Sequence, residues 1–166
     1  TGDEIIVSEN AELKVGNRLP LYKIPVGALI YNVELMPNCG ARLARSAGNY
    51  AELLAIDEKH ATIKLPSSET RKVPKGVWAS VGQVTNEENK LMTIGKAGRQ
   101  RWLGVRPTVR GSAMNPVDHP YGGGEGRQKR GTRRPKDIWG KVTGGVKTRN
   151  KKKYSSKLII HRRKKK

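Results

Sequence analysis

The amino-acid sequence predicts a mostly β fold, a small β-barrel or sandwich followed by a long, extended basic C-terminal arm with little regular structure. Short runs rich in β-branched residues recur through the first 95 residues and are separated by Gly, Pro and Asn. Leu, Ile and Val are concentrated there, with 25 in residues 1–95 and 10 in residues 96–166. The net charge of +20 lies entirely in residues 96–166, which hold 23 Lys and Arg against three acidic residues.

Apolar and β-branched runs that end at turn residues predict five strands. They span residues 28–36, 50–56, 61–65, 71–73 and 77–84, with weaker signals at 5–7 and 90–94. In residues 61–65, apolar side chains alternate with Thr62 and Lys64, which is typical of a strand with one buried face. Five short strands with hairpin-length connections favour a small barrel or sandwich.

The basic arm has a composition that does not support a core of its own. Residues 96–166 contain 11 of the 19 glycines and four of the nine prolines, and one short helix is predicted around residues 96–103. Such a chain buries too little apolar surface to offset its ordering entropy. We therefore expect the arm to be mostly disordered when free and to fold on a partner.

The charge of the arm predicts a polyanionic partner, because each Lys or Arg that neutralises a phosphate releases condensed counterions. An anionic membrane is disfavoured, since no amphipathic helix accompanies the charge. Glycine lets the backbone approach phosphates closely, and arginine and aromatic side chains stack on unpaired bases, which favours structured RNA over duplex DNA. The sequence shows no helix-turn-helix, zinc finger or long basic helix for reading a major groove.

Other function classes are excluded or weak. A single cysteine, Cys39, precludes an internal disulfide, and His60, His119 and His161 lack metal-ligand spacing. The glycines of residues 122–126 lead into basic residues and lack the Gly-Lys-Ser/Thr of a phosphate loop.

A hydrolase triad is a second weak alternative. Ser112, Asp118 and His119 contain its side chains, but they lie in one glycine-rich segment, whereas triad members normally come from separate rigid elements. The competing interpretation of His119 is a histidine that touches RNA or packs in a turn before Pro120.

Several segments carry a family resemblance. They include Gly95-Lys96-Ala97-Gly98-Arg99-Gln100-Arg101-Trp102-Leu103-Gly104-Val105-Arg106-Pro107, Met114-Asn115-Pro116-Val117-Asp118-His119-Pro120, residues 122–127, and the upstream residues 24–27 and 43–48. Together they closely resemble the universal large-subunit ribosomal protein two family, in its bacterial or organellar form, over nearly the whole chain.

The resemblance implies three parts: residues 1–18 as the remnant of a preceding OB-fold domain and linker, 19–95 as an SH3-like β-barrel, and 96–166 as an rRNA-binding arm. It implies a structural, non-enzymatic constituent of the large ribosomal subunit. Such a protein binds large-subunit rRNA near the peptidyl transferase region and supports assembly, subunit association and translation.

The implied partners are rRNA, neighbouring ribosomal proteins and the small subunit across an intersubunit bridge. Because the sequence begins at Thr1 and not at methionine, we also expect a separate chain or upstream segment that supplies the OB-fold domain. No membrane partner and no cofactor are expected, apart from magnesium ions that belong to the rRNA.

Basic and aromatic side chains are the predicted rRNA contacts. In the barrel we expect them at or beside turns, where phosphates are easiest to reach, at Arg42, Arg45, Arg71 and Lys72. In the arm they are Lys96, Arg99, Arg101, Trp102, Arg106, Arg110, Asn115, His119, Tyr121, Arg127, Lys129, Arg130, Arg133, Arg134, Lys147, Arg149, Lys151, Lys152, Arg162 and Arg163. By the resemblance, the residues proximal to the peptidyl transferase region are Met114, Asn115, Pro116, Asp118 and His119.

His119 matches a family histidine implicated in peptidyl transfer, and we interpret its role as support of rRNA structure. Tyr121 departs from a histidine common in bacterial members, and residues 128–137 are more basic than the bacterial pattern. A mitochondrial ribosome is favoured over a plastid or bacterial one, because the chain resembles the second half of a split gene product. The rival functions are a general nucleic-acid-compacting protein and a ribonuclease or esterase that uses His119.

Overall fold

The computed structural model describes residues 2–126, 131–150 and 152–163, and these residues are mostly antiparallel β-structure with few helical segments. The chain divides into two units. Unit 1 comprises Thr1–Met92 and Lys152–Lys166, and unit 2 comprises Thr93–Lys151. The mostly β class predicted from the sequence is confirmed.

Short strands build unit 1. Those in the described residues are β1 (Arg18–Pro20), β2 (Leu29–Tyr31), β3 (Val33–Glu34), β4 (Ala41–Leu43), β5 (Ala51–Ile56), β6 (His60–Lys64), β7 (Thr70–Pro74), β8 (Trp78–Val81) and β9 (Ile159–His161). Seven form one sheet in the order β1-β8-β2-β5-β6-β7-β9, and β3 pairs with β4 separately. Three 3-10 helices, Leu21–Lys23, Glu87–Leu91 and Tyr154–Ser156, accompany them.

The core of unit 1 is a single cluster to which almost every strand contributes. Its members are Leu19, Leu21, Ile24, Ile30, Val33, Ala51, Leu53, Ala61, Ile63, Val73, Val77 and Ala79, all nearly inaccessible to solvent. A flat sheet leaves one face wet unless a second layer covers it. The described residues of unit 1 contain no α-helix, so this core is enclosed by the strands of both sheets and the short segments that connect them.

The strand predicted over residues 28–36 is divided in the structure. Asn32 takes a left-handed conformation with φ of 50°, and its N–H donates to the Ala44 carbonyl at 3.0 Å. Asparagine tolerates this conformation better than most residues. Because of this break, β2 pairs within the seven-stranded sheet, whereas β3 pairs with β4.

A half-buried ion pair fastens β1 to β3. Arg18 Nη2 lies 3.0 Å from Glu34 Oε1, with side-chain exposures of 18% and 7%. Arg18 Nη1 also donates to the Asn32 carbonyl, and Glu34 Oε2 accepts the N–H groups of Asn38 and Trp78 at 3.0 and 3.4 Å. The pair therefore connects three chain segments through satisfied polar groups.

The two weak strand signals are wrong. Residues 5–7 contribute a single bridge between Val7 and Arg18, and the 3-10 helix Glu87–Leu91 overlaps the start of residues 90–94. Neither segment has a partner strand in the described structure long enough to form a ladder.

Strand β9 was not predicted, because its residues lie in the basic arm. Lys72 N–H donates to the Leu158 carbonyl at 2.7 Å, and Arg71 is paired with Ile159. Leu158 and Ile159 supply half-buried side chains to an edge of β7 that would otherwise be unpaired. Residues 152–163 therefore belong to unit 1 in the structure, while the predicted division into three functional parts stays a prediction.

Unit 2 holds less regular structure. Helix α1 (Ala97–Trp102) confirms the helix predicted around residues 96–103, and a 3-10 turn spans Gly111–Ala113. An isolated antiparallel bridge joins Lys136 to Val142.

Within the described ranges, no helix is long and apolar enough to cross a bilayer. No group of three or more His, Cys, Asp or Glu side chains in those same ranges is arranged to hold a metal ion.

Candidate nucleic-acid interface

A tight turn around His119 forms part of unit 2. The N–H groups of Asp118 and His119 both donate to the Asn115 carbonyl, at 3.0 and 3.2 Å. The Gly123 N–H closes the turn on the Met114 carbonyl at 3.2 Å. We call residues 111–123 the His119 turn.

Two glycines permit the close packing of this turn. A Cβ on Gly122 would overlap the carbonyl group of Asn115 and lie 2.7 Å from the Pro116 nitrogen. A Cβ on Gly111 would lie 2.5 and 2.6 Å from Nδ1 and Nε2 of His119. Both positions therefore need glycine for steric reasons, independent of backbone conformation.

The His119 ring is held by its neighbours and is 8% exposed. Its Nδ1 accepts the Tyr121 N–H at 3.1 Å, and the two rings lie 4.8 Å apart between centroids at an angle of 47°. Because Nδ1 is an acceptor, the proton of the neutral ring sits on Nε2. A hydrolase triad requires Nδ1–H to donate to a carboxylate, so this geometry does not match the triad of Ser112, Asp118 and His119.

Tyr121 connects the His119 turn to a later segment. Its hydroxyl oxygen accepts the backbone N–H of Lys136, and Thr132 beside it donates its hydroxyl to the Arg134 carbonyl at 2.9 Å. Tyr121 thus has a structural role in unit 2.

A cleft of about 360 Å³ opens beside the His119 turn. It is lined by Arg110, Gly111, Ser112, His119, Tyr121, Pro135, Lys136 and Thr143. The lining combines two cations, two aliphatic hydroxyls and an imidazole, groups that donate hydrogen bonds to phosphate, ribose or base oxygens. The fold thereby brings together the predicted residues Arg110, His119 and Tyr121, and adds Lys136, which the sequence did not single out.

Residues 136–142 form a short hairpin whose two ends are joined by the antiparallel bridge between Lys136 and Val142. Asp137 Oδ1 accepts the N–H groups of Trp139 and Lys141 at 3.0 and 2.8 Å, and the Asp137 N–H donates to the Lys141 carbonyl at 2.9 Å. Trp139 stands at the tip with 75% of its surface exposed. We call these residues the Trp139 hairpin.

Most predicted contacts in residues 96–150 are exposed. The exposed ones are Lys96, Arg99, Arg101, Trp102, Arg106, Arg110, Asn115, Arg133, Arg134 and Lys147, while Tyr121 and Arg149 are half-buried. Of the residues expected near the peptidyl transferase region, Asn115, Pro116 and Asp118 are exposed, Met114 is half-buried and His119 is buried. Lys96 Nζ lies 5.2 Å from the centroid of the Trp102 ring, so one face of this ring already carries a cation.

Three of the four predicted barrel contacts, Arg42, Arg71 and Lys72, lie within strands and not in turns. Arg71 and Lys72 lie within β7, half-buried between β6 and β9, and Lys72 Nζ is 3.5 Å from Asp57 Oδ2. The sequence predicted the strand at residues 71–73 but not its pairing with β9, because β9 lies nearly ninety residues away in the chain. Arg42 in β4 and Arg45 after it are exposed.

The remaining predicted contacts lie near the C-terminus or outside the described residues. Lys152, Arg162 and Arg163 are exposed parts of unit 1. Arg127, Lys129, Arg130 and Lys151 lie outside the described residues.

Trp139 is a second candidate residue, besides Lys136, that the sequence reasoning did not assign to the interface. The available signal was the spacing Asp137-Ile138-Trp139-Gly140, because an Asp side chain commonly bonds to a backbone amide two residues later and creates a turn.

The comparison with protein families agrees with this organisation. A family model described as Ribosomal Proteins L2, C-terminal domain, matches residues 14–140. The match begins before β1 and reaches the Trp139 hairpin, so it includes the sheet from β1 to β8, α1 and the His119 turn. A family of this kind has a structural role in the ribosome and binds rRNA. The chain belongs to the ribosomal protein L2 family and comprises its C-terminal domain.

Proposed function

We propose that unit 2 binds large-subunit rRNA near the peptidyl transferase region, and that unit 1 is a folded anchor. The observation that carries the proposal is the preformed cleft at the His119 turn, which collects hydrogen-bond donors inside a segment rich in exposed cations. In this role the protein is a scaffold that catalyses no reaction. It supports assembly of the subunit, association with the small subunit, and translation. Neighbouring ribosomal proteins and a separate OB-fold segment remain proposed partners, and a mitochondrial location remains a prediction.

Charge balance supports rRNA as the ligand of unit 2. Residues 131–150 contain six Lys and Arg and a single acidic residue, Asp137. One oxygen of that carboxylate accepts two backbone N–H groups, which commits it to its own turn. The segment therefore carries a clear excess of positive charge, which favours phosphate groups as its ligand.

Replacement of four arginines tests the assignment. The variant Arg99→Ala, Arg101→Ala, Arg106→Ala and Arg110→Ala should leave the large-subunit peak when ribosomes are sedimented through a sucrose gradient at high salt. Screening strips loosely bound basic proteins, whereas contacts inside folded rRNA persist. The wild-type chain should stay in the peak.

A matched control removes the same charge from unit 1. Its four changes are Lys23→Ala, Lys59→Ala, Lys75→Ala and Lys90→Ala, all at exposed positions. We expect this control to sediment like the wild type. Equal loss in both variants would indicate a general polyanion binder, and normal retention of the arginine variant would refute the proposed surface.

The role of His119 can be separated from catalysis. A structural role predicts that His119→Ala weakens incorporation into the subunit, since the Tyr121 N–H loses its acceptor and the buried ring leaves a cavity. Ribosomes that incorporate His119→Ala normally but form no peptide bonds would contradict this role.

A further inference from the structure

We propose that Trp139 is a base-stacking residue, which binds an unpaired base of RNA with its indole face. The inference rests on the proposed rRNA binding of unit 2 and names a contact that the sequence analysis did not assign. It follows from the exposure of the ring, the rigidity of the turn that carries it and the charge around it.

The exposure of Trp139 is the first argument. Tryptophan is the largest side chain and is usually well buried, but this ring is 75% exposed and has no ring or cation partner among the described residues. Trp102 is equally exposed, but Lys96 already covers one of its faces. Among the described residues, no aromatic ring or cation covers the Trp139 indole, so the ring is available for stacking.

The turn beneath Trp139 is the second argument. Asp137 Oδ1 accepts the amides on both sides of the tip, those of Trp139 and Lys141, and the Asp137 carbonyl accepts the Gly140 N–H at 3.0 Å. Gly140 has a φ of 78°, which glycine adopts without strain. These three hydrogen bonds restrain the backbone that carries the Trp139 side chain, so less ordering entropy is lost when a ligand binds.

The charge around Trp139 favours RNA over a protein as its partner. An exposed tryptophan is also a common anchor of protein interfaces. Here, however, six Lys and Arg lie in residues 131–150, and Lys136 and Lys141 flank the tip within the same hairpin. Cations that track phosphates beside an aromatic platform are the pattern of single-stranded nucleic-acid binding, where stacking tolerates any base.

The full chain should be titrated with in vitro transcribed bacterial large-subunit rRNA in a filter-binding assay at several salt concentrations. We expect Trp139→Ala to weaken binding roughly 5- to 150-fold, the range that base–aromatic stacking gives. The slope of log K against log salt should be unchanged, since no charge is removed. Lys141→Ala should instead reduce the magnitude of that slope by about 0.7 to 0.9.

Further variants separate stacking from simple apolar contact. Trp139→Tyr should retain most of the affinity and Trp139→Leu should lose as much as Trp139→Ala, because leucine is apolar but has no ring face. Val117→Ala is the matched control, since Val117 is 95% exposed in the same unit and has no ring. It should bind like the wild type.

Asp137 tests whether the turn positions the ring. Asp137→Asn keeps a side-chain oxygen for the two amides, whereas Asp137→Ala removes it, and both lose the same negative charge. We expect the alanine variant to bind several-fold more weakly than the asparagine variant at every salt concentration. Equal affinities of the two variants would overturn the positioning role.

The outcomes distinguish this inference from the function on which it rests. If the wild type binds rRNA and Trp139→Ala binds equally well, Trp139 does not stack on RNA and the proposed function stands. If Trp139→Ala keeps its rRNA affinity but leaves the assembled subunit, the tryptophan contacts a protein and stacking is refuted. If the wild type binds duplex DNA as tightly as rRNA, the proposed rRNA-binding function itself is refuted.

Discussion

Replacement of Gly122 by alanine tests the packing of the His119 turn. The added methyl group would overlap the carbonyl carbon and oxygen of Asn115 and lie 2.7 Å from the nitrogen of Pro116. These are backbone atoms, so no change of rotamer relieves the overlap. The turn must open between Asn115 and Gly122 to admit the methyl group.

The cost can be worked from the contacts that opening disturbs. Overpacking of a well-packed site costs about 1–3 kcal/mol, and the overlap with backbone puts Gly122→Ala in the upper part of that range. The Asn115 carbonyl also accepts two N–H groups, those of Asp118 and His119, and each lost bond costs about 1 kcal/mol net. We therefore expect a loss of about 3 kcal/mol, since partial relaxation offsets some of the sum.

This loss can be measured as weaker binding to large-subunit rRNA, because the free energy needed to re-form the turn reduces the binding free energy. About 3 kcal/mol corresponds to a roughly 100-fold weaker Kd. The salt dependence should be unchanged, since the substitution removes no charge. Gly98→Ala is the control, because a Cβ there meets no atom within 4 Å and Gly98 lies inside α1. An affinity of Gly122→Ala within about threefold of the control would refute the reasoning.

Two predictions concern unit 1. Ile159→Asp places a charge at the half-buried position of β9 and should lower the free energy of unfolding by about 1–2 kcal/mol. Ile160→Asp, at an exposed position, should change it little. Equal effects of the two variants in urea denaturation would show that β9 does not pair as described. Glu34→Ala leaves the half-buried Arg18 without its carboxylate and should cost about 3–5 kcal/mol. The exposed ion pair lost in Lys64→Ala should cost at most about 1 kcal/mol, and thermal unfolding that ranks these two variants equally would contradict the difference in burial.

Local pattern in the sequence was sufficient for the central elements. Strands β5 to β8 agree with the predicted runs to within a few residues, because alternation of apolar and polar side chains depends on neighbours along the chain. Helix α1 also lies within the segment predicted to be helical. The separation of charge from apolar residues, and hence the nucleic-acid interpretation of the arm, required composition alone.

Two features of unit 1 depended on contacts between distant residues. Nothing local to residues 28–36 marks Asn32 as the point where a strand passes from one sheet to another, since its left-handed turn is bonded to Ala44. Nothing local to Arg71 shows that β9 will cover its strand from almost ninety residues away.

The site shows the same distinction. The sequence by itself determined that His119 lies in a glycine-rich, basic segment that matches the ribosomal protein L2 family. Only the tertiary structure decided that the His119 ring is buried against Gly111, that Tyr121 reaches Lys136, and that Trp139 stands exposed at a braced tip. The physical reason is that burial and hydrogen-bond direction depend on which segments meet in space, whereas composition and periodicity record only what each segment contains.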